Sequence, residues 1–171
     1  MSVRDLLMAA AGAVAPGGAA YRYWRIYITA TQSPAQYGEI AEIELRATPG
    51  GADLTTGSTP VTESSYLIVY DGEGAIYAWY PGINTVDGTI GNPYSVWYPS
   101  ASPTVGTPQW LRYDLATAKE VSQIAINNYS GGGSSLKDFK VQGSADGSSW
   151  TDVKSFSGVA AWTGWQAFNL T

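Results

Sequence analysis

Ser135-Leu-Lys-Asp-Phe-Lys-Val-Gln-Gly-Ser-Ala-Asp-Gly-Ser-Ser-Trp-Thr-Asp-Val153 reads as two short strands joined through an Asp-Gly turn. Asp146-Gly147 offers the positive backbone angles of a tight hairpin, with Phe139 and Val141 on one face before the turn and the large Trp150 just past it. A hairpin is the first structural expectation.

Working outward, further strands are expected near residues 109 to 115, 121 to 127, 136 to 142, 150 to 156 and 164 to 170. In Tyr21 to Ala30, Trp24, Ile26 and Ile28 alternate with Arg25, Tyr27 and Thr29, which marks a half-buried strand. Ala41, Ile43 and Leu45 alternate with Glu42, Glu44 and Arg46 in the same way. Between the two runs lies a polar loop, Thr31 to Gly38, containing Pro34. Residues 48 to 65 are rich in Gly, Thr and Ser and read as a long surface excursion, with strand character returning near Tyr66 to Tyr70. About eight antiparallel strands with long connections predict an all-β jelly-roll sandwich over residues 21–171, preceded by a short N-terminal helix and a Pro-Gly-Ala linker over residues 1–20. No repeat of solenoid period is visible.

The 171 residues suit one domain with a sizeable core plus a short appendage. Seven Trp and 12 Tyr supply an aromatic core, and 20 Gly punctuate it with turns. The chain has neither Cys nor His. That removes a disulfide framework, a Ser/His/Asp triad, a Cys nucleophile and zinc held by imidazole or thiolate. A net charge of −5 without a Lys/Arg cluster argues against binding to nucleic acid, and no apolar run is long enough for membrane insertion.

The order of the pieces Asp87-Gly88, Trp97, Gln109-Trp110, Asp114-Leu115, Lys137-Asp138-Phe139, Asp146-Gly147 and Trp150 resembles the discoidin family, the F5/8 type C domains of galactose-binding-like sandwiches. The resemblance covers residues 21 to 171. It implies that Trp97, Trp110 and Trp150 pack in the core. It also implies that the loop Asp87-Gly88-Thr89 corresponds to one that holds a structural calcium in many relatives, with Asp87 and Thr89 as ligands; hard oxygen donors in a turn suit that ion. Relatives complete the site with a Glu near the end of the domain. Here Gly164-Trp-Gln-Ala-Phe-Asn-Leu170 has no carboxylate, which leaves the site weakened, filled by Gln166 or lost, against the alternative of a plain Asp-Gly turn.

The leader Val3 to Val14 is rich in helix formers, with Ser2 placed to cap it and Asp5 in the first turn. Three turns alone in water are marginal, so such a helix needs a surface. Ala13-Val-Ala15 suggests a secretory signal, although Asp5 interrupts the expected basic start. A cap folded onto its own sandwich is a second reading. The third follows from Met-Ser-Val-Arg-Asp-Leu-Leu-Met-Ala-Ala-Ala-Gly, which looks like the opening of many tailed-phage fibre and appendage proteins. On that reading Leu6, Leu7 and Met8 dock on other virion proteins, and a homo-oligomer is expected.

Sugars are recognised by aromatic rings stacking on C–H faces while amides and charged groups satisfy hydroxyls, all on loops at one end of a rigid scaffold. The richest stretch is 76 to 98. Tyr77, Trp79, Tyr80, Asn84, Asn92 and Tyr94 are the ligand candidates, joined by Asn128 and Tyr129 before the Gly131-Gly-Gly133 run. Glu42 and Glu44 share a strand face about 7 Å apart, which imitates a glycosidase pair only weakly. The Gly run lacks a following Lys-Ser/Thr and is no phosphate loop. The sequence therefore predicts a non-enzymatic virion component, a tail-fibre, appendage or decoration protein, whose domain binds cell-surface glycan with a structural calcium as the one expected cofactor. A purely structural decoration protein and a secreted carbohydrate-binding module are the alternatives.

Overall fold

Alternation in the run Tyr21 to Thr31 sends Trp24, Ile26 and Ile28 to one side, where all three are buried, and Arg25, Tyr27 and Thr29 to the other. In the computed structural model, which describes residues 18–130 and 132–171, this strand is the centre of a five-stranded antiparallel sheet. The strands are β1 (Ala20–Thr31), β2 (Glu42–Arg46), β3 (Val61–Glu63), β4 (Ile68–Tyr70), β5 (Ile76–Trp79), β6 (Gln109–Glu120), β7 (Gln123–Asn128), β8 (Leu136–Ser144), β9 (Thr151–Phe156) and β10 (Gly164–Asn169). The large sheet has the order β3-β6-β1-β8-β9, a second sheet the order β10-β7-β2, and β4 and β5 form a separate two-stranded hairpin. Short 3-10 turns at Gly82–Val86 and Gly132–Ser134 complete the described elements.

The core fills with Ile43, Leu45, Ile124 and Ile126 from the small sheet meeting Trp24, Ile26, Leu111, Tyr113, Phe139 and Val141 from the large one. Burying each such side chain contributes about 1.5–3 kcal/mol. Trp97 lies fully buried off the sheets, and its indole N–H donates to the Ser65 carbonyl at 3.0 Å. The free edge of β2 is covered by residues 53–55: Leu54 N donates to Leu45 O at 2.8 Å, and Asp53 Oδ1 accepts from Leu45 N at 3.0 Å.

Several expectations change. The described residues form ten strands, because β3 forms inside the expected excursion and Ile76–Trp79 pairs with β4. β6 runs on to Glu120 past Leu115, across a ladder irregularity between Tyr21 and Tyr23; Ala116, at φ 62°, lies in that stretch. The turn after β8 is a six-residue loop rather than a tight two-residue one, since Gly143 pairs with Thr151. Gly147 takes the positive φ of 76°, and Asp146 Oδ1 accepts from the amides of Ser148 and Ser149 at 2.8 and 2.7 Å.

Of the three tryptophans expected in the core only Trp97 is there. Leu111 and Tyr113 take the inward positions of β6, so Trp110 stands outward, half-buried; Trp150, also half-buried, lies against Arg25. The N-terminal helix and its docking residues Leu6, Leu7 and Met8 lie outside the described residues, and Gly18 and Ala19 precede β1 without regular structure.

Candidate functional site

β4 and β5 pair only with each other, so the hairpin's outward side chains meet no covering sheet. Along β5, Ala78 turns inward while Tyr77 and Trp79 are 67% and 60% exposed. Tyr94, 54% exposed, brings its hydroxyl to 3.5 Å from that of Tyr77. Large exposed aromatics gathered in this way mark a contact surface.

Behind the platform, Tyr80 meets Tyr98 edge-on at 5.1 Å between ring centroids. These two rings, with Gln36, Tyr37, Leu67, Val69 and Ser134, line a pocket of about 280 Å³. The fully buried Glu39 interacts with Tyr98 of this wall; Ser130 Oγ, outside the lining, donates to Glu39 Oε2, while Oε1 has no partner among the described residues. Burial raises the Glu39 pKa, tempered by hydrogen bonds from Ser130 and Tyr98. Burial and then the Glu39 charge raise that of Tyr98, so its hydroxyl stays protonated and able to donate.

A second, acidic cleft of about 360 Å³ opens over the β2 side of the small sheet. Its lining includes Glu42, Glu44, Asp53, Asp87 and Trp165. Glu44 is paired with the Arg46 guanidinium. Asp87 accepts from Thr89 N at 2.7 Å and from Ser95 Oγ. Glu42 is only 7% exposed and its Oε2 has no partner among the described residues. Desolvation, followed by the nearby charges of Asp87, Asp53 and Glu44, pushes its carboxyl up to about 7, against a lowering contribution from the Gly88 amide.

No curated protein and no solved structure matches the chain. A family model does: that of the NedA-like, galactose-binding domain of F5/8 type C kind, over residues 84–171, just over half of the sequence. The chain belongs to this galactose-binding-like family. The matched part of this F5/8 type C domain holds the Asp87 turn, Trp97 and strands β6 to β10. The unmatched part supplies β1, the centre of the large sheet, and β2, which carries Glu42 to the Asp87 loop.

The residues singled out in this galactose-binding-like domain divide among three places. Tyr77, Trp79 and Tyr94 form the platform. Asn84 Nδ2 donates to the carbonyls of Tyr94 and Val96 at 3.3 and 3.0 Å, and Asn92 Oδ1 accepts from Tyr94 N at 3.0 Å, so both amides hold the turn that presents Tyr94. Tyr80 belongs to the pocket. Asn128 and Tyr129 line another hollow of about 410 Å³ with Asn127, Ile90 and Thr163, and Asn128 Nδ2 is taken by Ser135 Oγ at 2.6 Å and Trp162 O at 3.2 Å.

Around Asp87, the Thr89 contact is through its amide, and Ser95 supplies the hydroxyl. Gln166 shares the inward face of β10 with Phe168, whereas Trp165 lines the cleft; the carboxylate beside Asp87 is Glu42. The sequence reading missed Tyr37 and Tyr98 as pocket residues, and Glu39 buried behind Tyr98. Long-range contacts bring them together: the Ile40–Trp97 bridge and the backbone bonds of Tyr98 with Leu67 and Tyr80, which no local pattern announces.

The cleft's donor set fits a hard cation: Glu42 is a buried carboxylate with an orphan oxygen, and the negative charge around it is in surplus. Among the described residues no three carboxylates converge closely enough to hold a metal by themselves. Were a calcium ion to bind there, Glu42 and Asp87 are the two side chains that would hold it.

Proposed function

We propose that this chain is a non-enzymatic carbohydrate-binding module that takes a neutral, galactose-type sugar on the platform of Tyr77, Trp79 and Tyr94. The observation that carries the reading is the exposure of these three rings, each more than half open to water: Tyr77 and Trp79 on a hairpin that no sheet covers, and Tyr94 on the neighbouring turn with its hydroxyl 3.5 Å from that of Tyr77. A pyranose stacks its C–H face on such rings and leaves its hydroxyls to polar groups at the rim. The family's description as galactose-binding supports the choice of sugar.

Calcium held by Glu42 and Asp87 is part of the proposal. Its role is structural: it neutralises the cleft and fastens the 87–90 loop to β2. Carriage on a phage particle, through the leader Met1 to Gly12, is proposed on the sequence of that leader alone.

The test is binding of the purified chain to a glycan array and to intact bacterial cells, with calcium and with chelator. Saturable binding to galactosides that disappears in Trp79→Ala, with the melting temperature preserved, supports the module. Absence of binding to any glycan by the folded, calcium-loaded chain sinks it and leaves the aromatic hairpin as a subunit interface of a decoration protein.

A further inference from the structure

The outer face of the large sheet carries a second constellation. Alternation places Tyr23, Arg25 and Tyr27 of β1, Trp110 and Arg112 of β6, and Gln142 of β8 on the side away from the core. Arg25 lies directly opposite Arg112 on one side and Gln142 on the other, and Tyr27 lies opposite Trp110. The Arg25 guanidinium sits 4.1 Å from the Trp150 ring centroid and 5.0 Å from that of Tyr27, and Arg112 lies 5.7 Å from the Tyr23 ring.

Like charges facing each other across a ladder destabilise a sheet, and this chain has acids to spare, 14 against nine basic residues. Yet neither arginine has an acidic partner among the described residues; the ion pairs there are Arg22–Asp114, Arg46–Glu44 and Lys140–Asp152. Asp152, the nearest candidate, is spent on Lys140 Nζ at 2.6 Å and on the Gln142 amide. Gln142 Oε1 accepts from Arg25 Nε at 2.6 Å and so fixes that guanidinium's orientation. The terminal nitrogens of Arg25 have no acceptor among the described residues, and Arg112 reaches only Gly147 O, at 3.4 Å. Burial lowers the Arg25 pKa, a sign that part of the desolvation cost of binding an anion is already met by the fold.

We propose that this face is a second binding surface, separate from the aromatic platform, and that its occupant is a carboxylate-bearing polysaccharide of the polyuronate type. Two guanidiniums on adjacent strands, one of them held against the Trp150 ring, can fork a carboxylate, and Trp110, half-buried on the same face, offers a ring to an adjoining sugar. The outward residues span the adjacent strands β6, β1 and β8, spaced about 4.8 Å apart, which suits an extended polymer rather than a small ligand. Duplex nucleic acid fits less well: it carries one negative charge per about 1.7 Å of axis, against a single carboxylate per sugar ring in a polyuronate, and two arginines on a chain of net charge −5 offset only the sparser of the two.

The experiment is calorimetric titration of the full chain, in calcium-free buffer, with sodium polygalacturonate and with its methyl ester, which keeps the rings and removes the charge. The expected result is binding to the acid that weakens with added salt, falls about tenfold or more with the ester and with either Arg25→Gln or Arg112→Gln, and persists in Trp79→Ala. Arg112→Lys keeps the charge and recovers only part of the affinity. Equal affinity for acid and ester, indifference to Arg112→Gln, or no binding by a chain with native circular dichroism overturns the proposal. Loss of binding in Trp79→Ala also overturns it, because the polymer then lies on the platform. Arginine-dependent binding of a DNA oligonucleotide without polyuronate binding rejects the occupant.

Discussion

Thr85 Oγ1 and the Tyr113 hydroxyl lie 2.9 Å apart, both buried, and join the 3-10 turn that leads into the Asp87 loop to the core side of β6. Thr85 also donates to Gly82 O at 2.7 Å, so the Tyr113 hydroxyl must donate to Thr85. Tyr113→Phe removes that donor and leaves Thr85 bonded to Gly82, with an expected cost of about 0.5–1.5 kcal/mol. Thr85→Val strands the tyrosine hydroxyl and should cost more, about 1–3 kcal/mol. Urea denaturation of both variants and the double mutant checks this; strict additivity would show that the two groups are not coupled.

Trp97 and Trp79 separate packing from contact. Trp97 is fully buried with its N–H satisfied, so Trp97→Ala should cost about 3–5 kcal/mol and lower the melting temperature markedly. Trp79→Ala, on the open face of the hairpin, should change stability by no more than about 0.5 kcal/mol. Thermal melts of the two variants decide it, and a collapse of Trp79→Ala would place that ring in the fold's support instead of at its surface.

The sandwich was legible because its strands obey period two: the alternation at Trp24 to Ile28 lies on β1 and that of Ala41 to Arg46 on β2 from Glu42 onward, each with the apolar side inward. Trp110 shows the limit of residue identity as a guide. Large aromatics favour burial, but the inward positions of β6 were already taken by Leu111 and Tyr113, and parity overrode size. The short β3 escaped because three residues, Val61 to Glu63, give alternation too little length to register. Of the candidate site, the exposed rings of the 76–94 stretch could be read locally. The placement of Glu42 beside Asp87 could not, because it follows from the position of β2 at a sheet edge rather than from any motif.

Gly143 pairs with Trp24 in the β1–β8 ladder, and the Tyr21 ring lies where its side chain would be: a Cβ there would come within 2.0 Å of Tyr21 Cδ2. Tyr21 in turn stands edge-on to Trp24 at 5.5 Å between centroids. Gly143→Ala must therefore push a whole ring off the core tryptophan and is expected to cost about 1–3 kcal/mol. Tyr21→Ala/Gly143→Ala should cost less than the sum of the two single changes, since the clash disappears with the ring. Equilibrium denaturation reads both, and a neutral Gly143→Ala would mean that Tyr21 has an alternative seat.

Glu42 sets the pH response. Its carboxyl is raised from an ordinary value near 4.5 to about 7, so between these values the folded chain keeps a proton that the unfolded chain releases. Stability is then highest below the window, falls as pH rises through it, and levels off above about 7. Burial moves Glu39 and Glu63 in the same direction, so Glu42→Gln should flatten the slope without removing it and should raise stability at pH 8. The lowered Asp114, Asp146 and Asp152 act at pH below their ordinary carboxylate values and leave this window unaffected. If calcium occupies the cleft, it replaces the proton as the counter-charge: added calcium should raise the melting temperature of the parent chain at pH 8, do so less at pH 5, and leave Glu42→Gln unmoved. Melting curves across pH 5 to 8, with calcium and with chelator, supply the check. A parent chain whose chelated form grows more stable from pH 5 to pH 8 would show that Glu42 is already ionised in the fold.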